Sequence, residues 1–169
     1  YLTAAIRSDS KIFTWGYGFY GTLGDGTTIS KSSPVQIGTS SWTQVSMGIT
    51  TSAIKIDGTL FTWGTNVSGD LGDGTTINKS SPIQIGTSSW SQVAAGISTL
   101  VAIDPSSNLF AWGYGFYGDI GDGTTNNRAS PTIVTAALVS YSSPIQVGTN
   151  KWDTISSGSN FSLGTAKPN

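Results

Sequence analysis

The sequence predicts an all-β fold of repeated antiparallel blades, and three observations carry that prediction. Trp15-Gly16, Trp63-Gly64 and Trp112-Gly113 recur 48 and 49 residues apart. Gly-Asp-Gly-Thr-Thr follows each at a fixed distance (24–28, 72–76 and 121–125), and a Ser-Pro follows that (33–34, 81–82 and 130–131). The polar positions are filled by Gly, Ser and Thr, and all nine acidic residues are Asp. Helix surfaces draw instead on Glu, Lys, Gln, Arg and Ala. A period of this size marks one supersecondary unit stacked on copies of itself.

The second repeat shows the unit most clearly. Thr43-Gln44-Val45-Ser46-Met47 reads as a short strand after Trp42, and Ser91-Gln92-Val93-Ala94-Ala95 matches it after Trp90. Thr51 to Ile56 alternates in polarity as a half-buried strand does. Asp57-Gly58 predicts a two-residue type I′ hairpin, because Gly accepts a positive φ without strain. Leu60-Phe61-Thr62-Trp63 returns as the partner strand. Gly64 to Thr76 is a long Gly-rich connection, and 81–86 is a short extended segment whose Pro82 belongs at a sheet edge or strand start. Three or four antiparallel strands in about 48 residues make a propeller blade.

The other copies vary on this theme. Ser8-Asp9-Ser10-Lys11 replaces the Asp-Gly turn in the first, and Asp104 to Asn108 is expected to lengthen it by one residue in the third. The blade repeats run at about 1–48, 49–96 and 97–158, with an insert at 132–143 and a tail or closing strand at 159–169. Insertions in repeats map to loops. Leu2 to Arg7 aligns with Thr51 to Lys55, so the chain starts inside a blade, and the first and last pieces read as complementary halves of one blade. Rings take about four to eight blades. Three repeats therefore predict a partial propeller or one completed by oligomerisation. The first residue is Tyr rather than Met, which fits a processed product or a piece of a longer chain.

The segment Trp63 to Gly74, preceded by Asp57-Gly58-Thr59-Leu60-Phe61 and followed by Pro82-Ile83-Gln84-Ile85, resembles the repeat of the regulator-of-chromosome-condensation family. The resemblance covers nearly all of 1–164 except the insert. It implies a β-propeller. Nuclear members of that family exchange nucleotide on a small GTPase and bind chromatin, and others are bacterial or viral surface modules. The low charge and the Ser and Thr content here are similar to the bacterial and phage surface type. Function is grafted onto folds rather than fixed by them.

Six tryptophans recur in phase: Trp15, Trp63 and Trp112 before a Gly, and Trp42, Trp90 and Trp152 before a strand. They read as packing within and between blades, each ring burying ~150–250 Å². Asp25, Asp73 and Asp122 sit in the Gly-Asp-Gly-Thr-Thr loops. Calcium needs six to eight oxygens, and one carboxylate per loop, with Asp70 and Asp119 upstream in two of them, reads better as turn chemistry. The aromatic sets Tyr17, Phe19, Tyr20 and Tyr114, Phe116, Tyr117 are the binding candidates. The middle repeat carries Thr65, Val67 and Ser68 instead, so the blade itself does not require the rings, and loop aromatics serve as contact anchors. In the family repeat, Asn usually stands where Gly18 and Gly115 do.

Composition excludes several function classes. Net charge is −1, with 10% charged residues, which gives no basic footprint for nucleic acid. No apolar run approaches the ~18 residues of a membrane span. Cys and His are absent, so disulfides, thiolate chemistry and zinc sites lack their ligands, and the sequence predicts no metal and no cofactor. Catalysis by general acid–base or nucleophilic groups has no His and no base placed beside a Ser. The expected role is a non-enzymatic structural or adhesion module on a virion (phage tail or capsid decoration) or microbial surface. Its partners would be copies of itself or other surface proteins. The alternatives are a regulatory propeller that binds one protein, as an inhibitor or exchange factor, and a lectin-like module that binds glycans.

Overall fold

A computed structural model describes residues 2–134 and, as strands only, 152–157 and 162–166. The part of the insert beyond Val134, the side chain of Trp152 and most of the 159–169 tail lie outside the described residues. The described chain is β throughout, apart from one 3-10 turn at Phe19–Gly21.

Four antiparallel sheets follow one another along the chain. The first holds β1 (Leu2–Ile6), β2 (Ile12–Gly16) and β3 (Lys31–Gln36) in that order. The second holds β4 (Trp42–Met47), β5 (Thr50–Lys55), β6 (Thr59–Gly64) and β7 (Lys79–Ser89). The third repeats it with β8 (Gln92–Ala95), β9 (Thr99–Ile103), β10 (Leu109–Gly113) and β11 (Arg128–Ile133), and the fourth pairs β12 (Trp152–Ser157) with β13 (Ser162–Ala166). Each sheet is a meander of neighbouring strands, which is a propeller blade. The first strands of successive blades lie side by side, β4 by β8 and β8 by β12.

The sheet is offset from the sequence repeat. Strand β4 pairs with β5 through the tight turn at Gly48-Ile49, with Gly48 N–H donating to Thr50 O at 2.8 Å. It therefore belongs to the blade after it. The prolines fall where the ladder can spare an N–H: Pro34, Pro82 and Pro131 lie in β3, β7 and β11, each the outer strand of its sheet. Strand β7 runs well beyond the short segment that the sequence predicts.

The hairpins correct two expectations. Between β5 and β6 only Gly58 has a positive φ, +83°, so the turn is not type I′, which needs positive φ at both central residues. Gly58 N–H donates to Lys55 O at 2.9 Å, and Asp57 Oδ1 accepts from Thr59 N–H at 3.0 Å and from its hydroxyl at 2.6 Å. This is a three-residue hairpin, with Gly58 in the left-handed position that closes it. The third hairpin is no longer than the others, since Ile6↔Ile12, Ile54↔Leu60 and Ile103↔Leu109 close the same loop. The extra residue of the third unit lies in the turn between β8 and β9, where Gly96 N–H reaches Thr99 O.

The apolar cores lie between blades. Ile12 and Ile37 of the first sheet pack with Trp42, Ala53 and Trp63 of the second. Ile54, Leu60 and Ile85 of the second pack with Trp90, Val93, Leu100 and Trp112 around the third. No single blade closes its own core, so stacking supplies the burial that drives folding. Side chains also reach across between inner strands. Gln44 on β4 accepts from Val93 N–H at 3.2 Å and donates to Ser91 O at 2.8 Å, and Ser46 Oγ accepts from Ala95 N–H at 2.9 Å. These bonds satisfy edge groups of β8 that its own sheet leaves open.

Candidate functional site

The connections from β2 to β3, β6 to β7 and β10 to β11 all emerge at one end of the sheets, together with the Gly48-Ile49 and Gly96-Ile97 turns. The registers fix this: Thr50 pairs with Gly64, and Thr99 with Gly113. Among the described residues, every exposed large hydrophobic except Ile56 and Ile133 lies at this end. They are Tyr17, Phe19, Tyr20, Ile29, Ile49, Val67, Ile77, Ile97, Phe116 and Tyr117. Exposed apolar patches are a general feature of surfaces that meet other molecules.

The two aromatic sets stand out from this face. Tyr17, Phe19 and Tyr20 are 48%, 54% and 57% exposed, and Phe116 and Tyr117 are 61% and 76%; Tyr114 is half-buried. Tyr17 and Phe19 stack with centroids 5.1 Å apart. Tyr114 touches Phe116 and Tyr117 at 6.2 Å each, and those two meet edge to face at 5.1 Å. Five of the six rings touch another ring of their own set, and all but Tyr114 are exposed. Tyr20 holds a positive φ of +61°, a strained setting for a bulky residue that its surroundings must impose.

The middle repeat carries Thr65, Val67 and Ser68 in place of the rings, and Asn66 where the other two carry Gly18 and Gly115. Asn66 is fully buried. Its amide donates to Asp73 Oδ1 at 3.0 Å and to Thr75 and Ile77 carbonyls, while its Oδ1 accepts from Leu71 N–H at 2.9 Å. This one side chain ties the loop down. At Gly18 and Gly115 the backbone closes into that space, and a Cβ would collide with the carbonyls of Ile29 and Asn126. The loops of the first and third repeats thus carry exposed rings on either side of a glycine, and the second carries an internal polar strut in that glycine's place.

The Gly-Asp-Gly-Thr-Thr loops spend their carboxylates locally. Asp25, Asp73 and Asp122 each accept from the backbone N–H two residues on, at 2.9 Å in every copy, and from the Thr hydroxyl there. Each also faces a cation six residues on: Lys31 at 3.4 Å, Lys79 at 3.5 Å and Arg128, whose Nε lies 2.6 Å from Asp122. Burial works to raise the pKa of all three acids. The Thr donors and the facing cations outweigh it, and all three stay below the ordinary aspartate value. The sequence reading missed these cations, although their constant spacing from Asp is visible there. Asp70 is different. It is buried at the joint between the second and third blades, with only Ser68 N–H as donor to its Oδ2 at 3.0 Å and nothing on Oδ1. Desolvation raises its pKa.

The tryptophans divide by neighbour. Trp42, Trp63, Trp90 and Trp112 are buried, while Trp15 is half-buried. The next blade's Trp lies over Gly24 and Gly72 of the loop before it. Trp63 Nε1 donates to Thr22 O at 3.1 Å, and Gly26 and Gly74 N–H donate to Ser80 O and Ala129 O of the following blade.

The sequence matches the Regulator of chromosome condensation (RCC1) repeat over residues 9–54 and 57–103. No curated protein matches the chain by sequence. Among solved structures it is similar to Prp20p from Saccharomyces cerevisiae, studied with its binding properties to Gsp1p and histones, at 17% identity and a TM-score of 0.83. That match covers 98% of this chain and 41% of Prp20p. It is also similar to human WBSCR16, at 18% identity and a TM-score of 0.53, covering 99% of this chain and 56% of the other. The ectodomain of the Physcomitrella patens receptor kinase CR4 matches at 11% identity and a TM-score of 0.57, over 98% of this chain and 36% of the other. The chain thus spans about two fifths of the length of Prp20p. At these identities the likeness is one of fold.

Proposed function

The chain belongs to the regulator of chromosome condensation (RCC1) repeat family, and on that premise we propose that it is a non-enzymatic protein-binding scaffold. Its blades hold the loop face, and the loop face makes the contact. The observation that carries this reading is the concentration of exposed apolar side chains at one end of the sheets, with the two aromatic sets on its first and third loops. Aromatic anchors of this kind dominate protein interfaces. Prp20p, which shares the fold, is described as binding proteins, Gsp1p and histones. The carboxylates of the loops are occupied by their own turns and cations, which leaves them to structure rather than chemistry.

The finer reading is a structural or adhesion module at a microbial or virion surface. It rests on the low charge and the Ser and Thr content of the chain. Cross-linking at lysines tests both parts, on the particle or cell surface that carries the protein. Partner peptides should attach to Lys31 and Lys79, which flank the loop face, and not to Lys11 and Lys55 at the other end. Partner cross-links confined to Lys11 and Lys55 would overturn the assignment of the face. Partners drawn from the cytoplasm or nucleus would overturn the surface role.

A further inference from the structure

Trp15 to Gly21 and Trp112 to Gly118 are the same seven residues, Trp-Gly-Tyr-Gly-Phe-Tyr-Gly, and the fold gives them two shapes. Both close a turn: Gly21 N–H donates to Gly18 O at 3.2 Å, and Gly118 N–H to Gly115 O at 2.8 Å. In the first loop Tyr20 takes the third position of that turn with φ +61° and ψ +13°. Tyr117 holds the same position in the third loop without a positive φ, since the described non-Gly residues with one are Ser10, Tyr20 and Ser107. A positive φ there normally falls to Gly or Asn, and a bulky side chain is strained by it. The rings follow the backbone. Tyr117 meets Phe116 edge to face at 5.1 Å and Tyr114 at 6.2 Å. Tyr20, 57% exposed, meets no other ring among the described residues.

Identical sequences in two shapes mean that something outside the seven residues sets the shape. The entry to the loop is alike in all three repeats. Gly18, Asn66 and Gly115 N–H donate to Ser30 Oγ, Asn78 Oδ1 and Asn127 Oδ1 at 3.1, 2.8 and 3.0 Å. The following blade is not the cause either. A Cβ at Gly21 would fall on Ser80, and one at Gly69 on Ala129, so the first two loops lean on the next blade in the same way. Yet Ser68, the counterpart of Tyr20, has no positive φ. The difference lies directly after the loop, where Thr22, Asp70 and Asp119 stand. Thr22 is buried, and its hydroxyl donates back across the loop to Tyr17 O at 2.7 Å. Asp70 accepts instead, from Ser68 N–H at 3.0 Å. The hydroxyl pins a carbonyl of the loop, whereas the carboxylate pins the N–H at the position that Tyr20 occupies in the first repeat.

We propose that Thr22 is the positioning residue of the loop face. Its hydroxyl holds the first of the two identical aromatic loops in the strained form, which sets the Tyr20 ring apart from the others as the anchor for the protein partner. The third loop, with Asp119 in that place, keeps its rings on one another. This assignment rests on the loop face being the contact surface. Strain persists where the surrounding structure over-determines it, and such residues gather at contact and switch regions.

NMR of the chain reads the sign of φ from the intraresidue HN–Hα NOE, which is strong at positive φ. It should be strong at Tyr20 and weak at Tyr117. Thr22→Val keeps the shape of the side chain and removes the donor, so it should abolish the strong NOE at Tyr20, and Thr22→Ser should keep it. Melting curves confirm that both variants fold. Tyr20→Gly should raise the melting temperature by about 2–4 °C as the strain is relieved, and Tyr117→Gly should lower it. A weak NOE at Tyr20 in the parent, or a strong one that survives in Thr22→Val, overturns the role of Thr22. A lowered melting temperature in Tyr20→Gly overturns the strained form.

Lysine cross-linking on the particle or cell surface that carries the protein, below saturation, reads the contact. The yield of partner peptides at Lys31 should fall about tenfold in Tyr20→Gly and in Thr22→Val, the loss of one interface hot spot, and recover in Thr22→Ser. An undiminished yield in Tyr20→Gly overturns the anchor and leaves the loop face standing. No partner peptides at Lys31 or Lys79 in the parent overturns the loop face, and the anchor with it, whatever the NOE shows.

Discussion

The indole N–H of Trp63 donates to the carbonyl of Thr22 in the preceding blade at 3.1 Å, and Thr51 Oγ1 shares that acceptor at the same distance. Gly24 lies against the ring, and a Cβ there would fall 2.5 Å from Trp63 Nε1. Trp112 occupies the matching seat over Gly72, but its Nε1 has no partner. The two seats are alike in packing and unlike in hydrogen bonding.

Trp→Phe at the two seats separates these contributions. Both variants lose part of a fully buried ring, and Trp63→Phe also strips a donor from Thr22. It should cost about 1 kcal/mol more than Trp112→Phe. Trp63→Ala should cost about 3–5 kcal/mol. Denaturant melts of the three variants measure both differences.

Asp70→Asn should stabilise the protein near neutral pH. Desolvation raises the folded-state pKa of Asp70 above its unfolded value. Its stability contribution is therefore present at low pH and lost as pH rises through the folded pKa. The amide keeps an oxygen for Ser68 N–H and carries no charge. A melting-temperature gain at pH 7 that disappears in acid is the expected pattern.

Asp73 should behave in the opposite sense. Its folded-state pKa is held low despite burial, by Thr75, Asn66 and Lys79, so its contribution is present at neutral pH and lost as pH falls through that depressed value. Asp73→Ala leaves the buried Asn66 amide short of one acceptor and should cost about 1–3 kcal/mol at pH 7. Thermal melts of the variant and the parent should converge at low pH.

Hydrogen exchange reads the joint between inner strands one amide at a time. Gln44→Ala should speed exchange at Val93, and Ser46→Ala at Ala95, each by about tenfold if the lost bond is worth about 1 kcal/mol or a little more. Exchange at the β5 and β6 amides should stay as it was.

Changing Tyr17, Phe19, Phe116 and Tyr117 together to Ser should shift the melting temperature by no more than a few degrees, since these rings are exposed. The same variant should lose binding of a hydrophobic dye and cross-linking at Lys31 and Lys79.

Blade architecture was legible because it lives in periodic signals: the Trp-Gly and Ser-Pro spacings and the alternation of 51–56. The Asp57-Gly58 turn was found in place but not in kind, because a Gly with positive φ closes two- and three-residue hairpins alike. The extra residue of the third unit was misplaced at Asp104 to Asn108, because a one-residue shift between the repeats' Trp-Gly marks does not say which of the two turns before the third mark holds it. The aromatic sets were visible as the feature that one repeat lacks. Ile29, Ile49, Ile77 and Ile97 were not, because an isolated Ile beside Gly or Thr carries no periodicity until the sheets bring the loops to one end.

Two tryptophans are seated by the repeat before them, Trp63 on Gly24 and Trp112 on Gly72. The joint is head-to-tail, with plug and socket on opposite sides of one unit. A gene that duplicates one such unit, in frame, copies a plug together with a socket. The new copy arrives already fitted to both neighbours, so arrays of this kind can lengthen or shorten by whole blades without any new interface having to evolve.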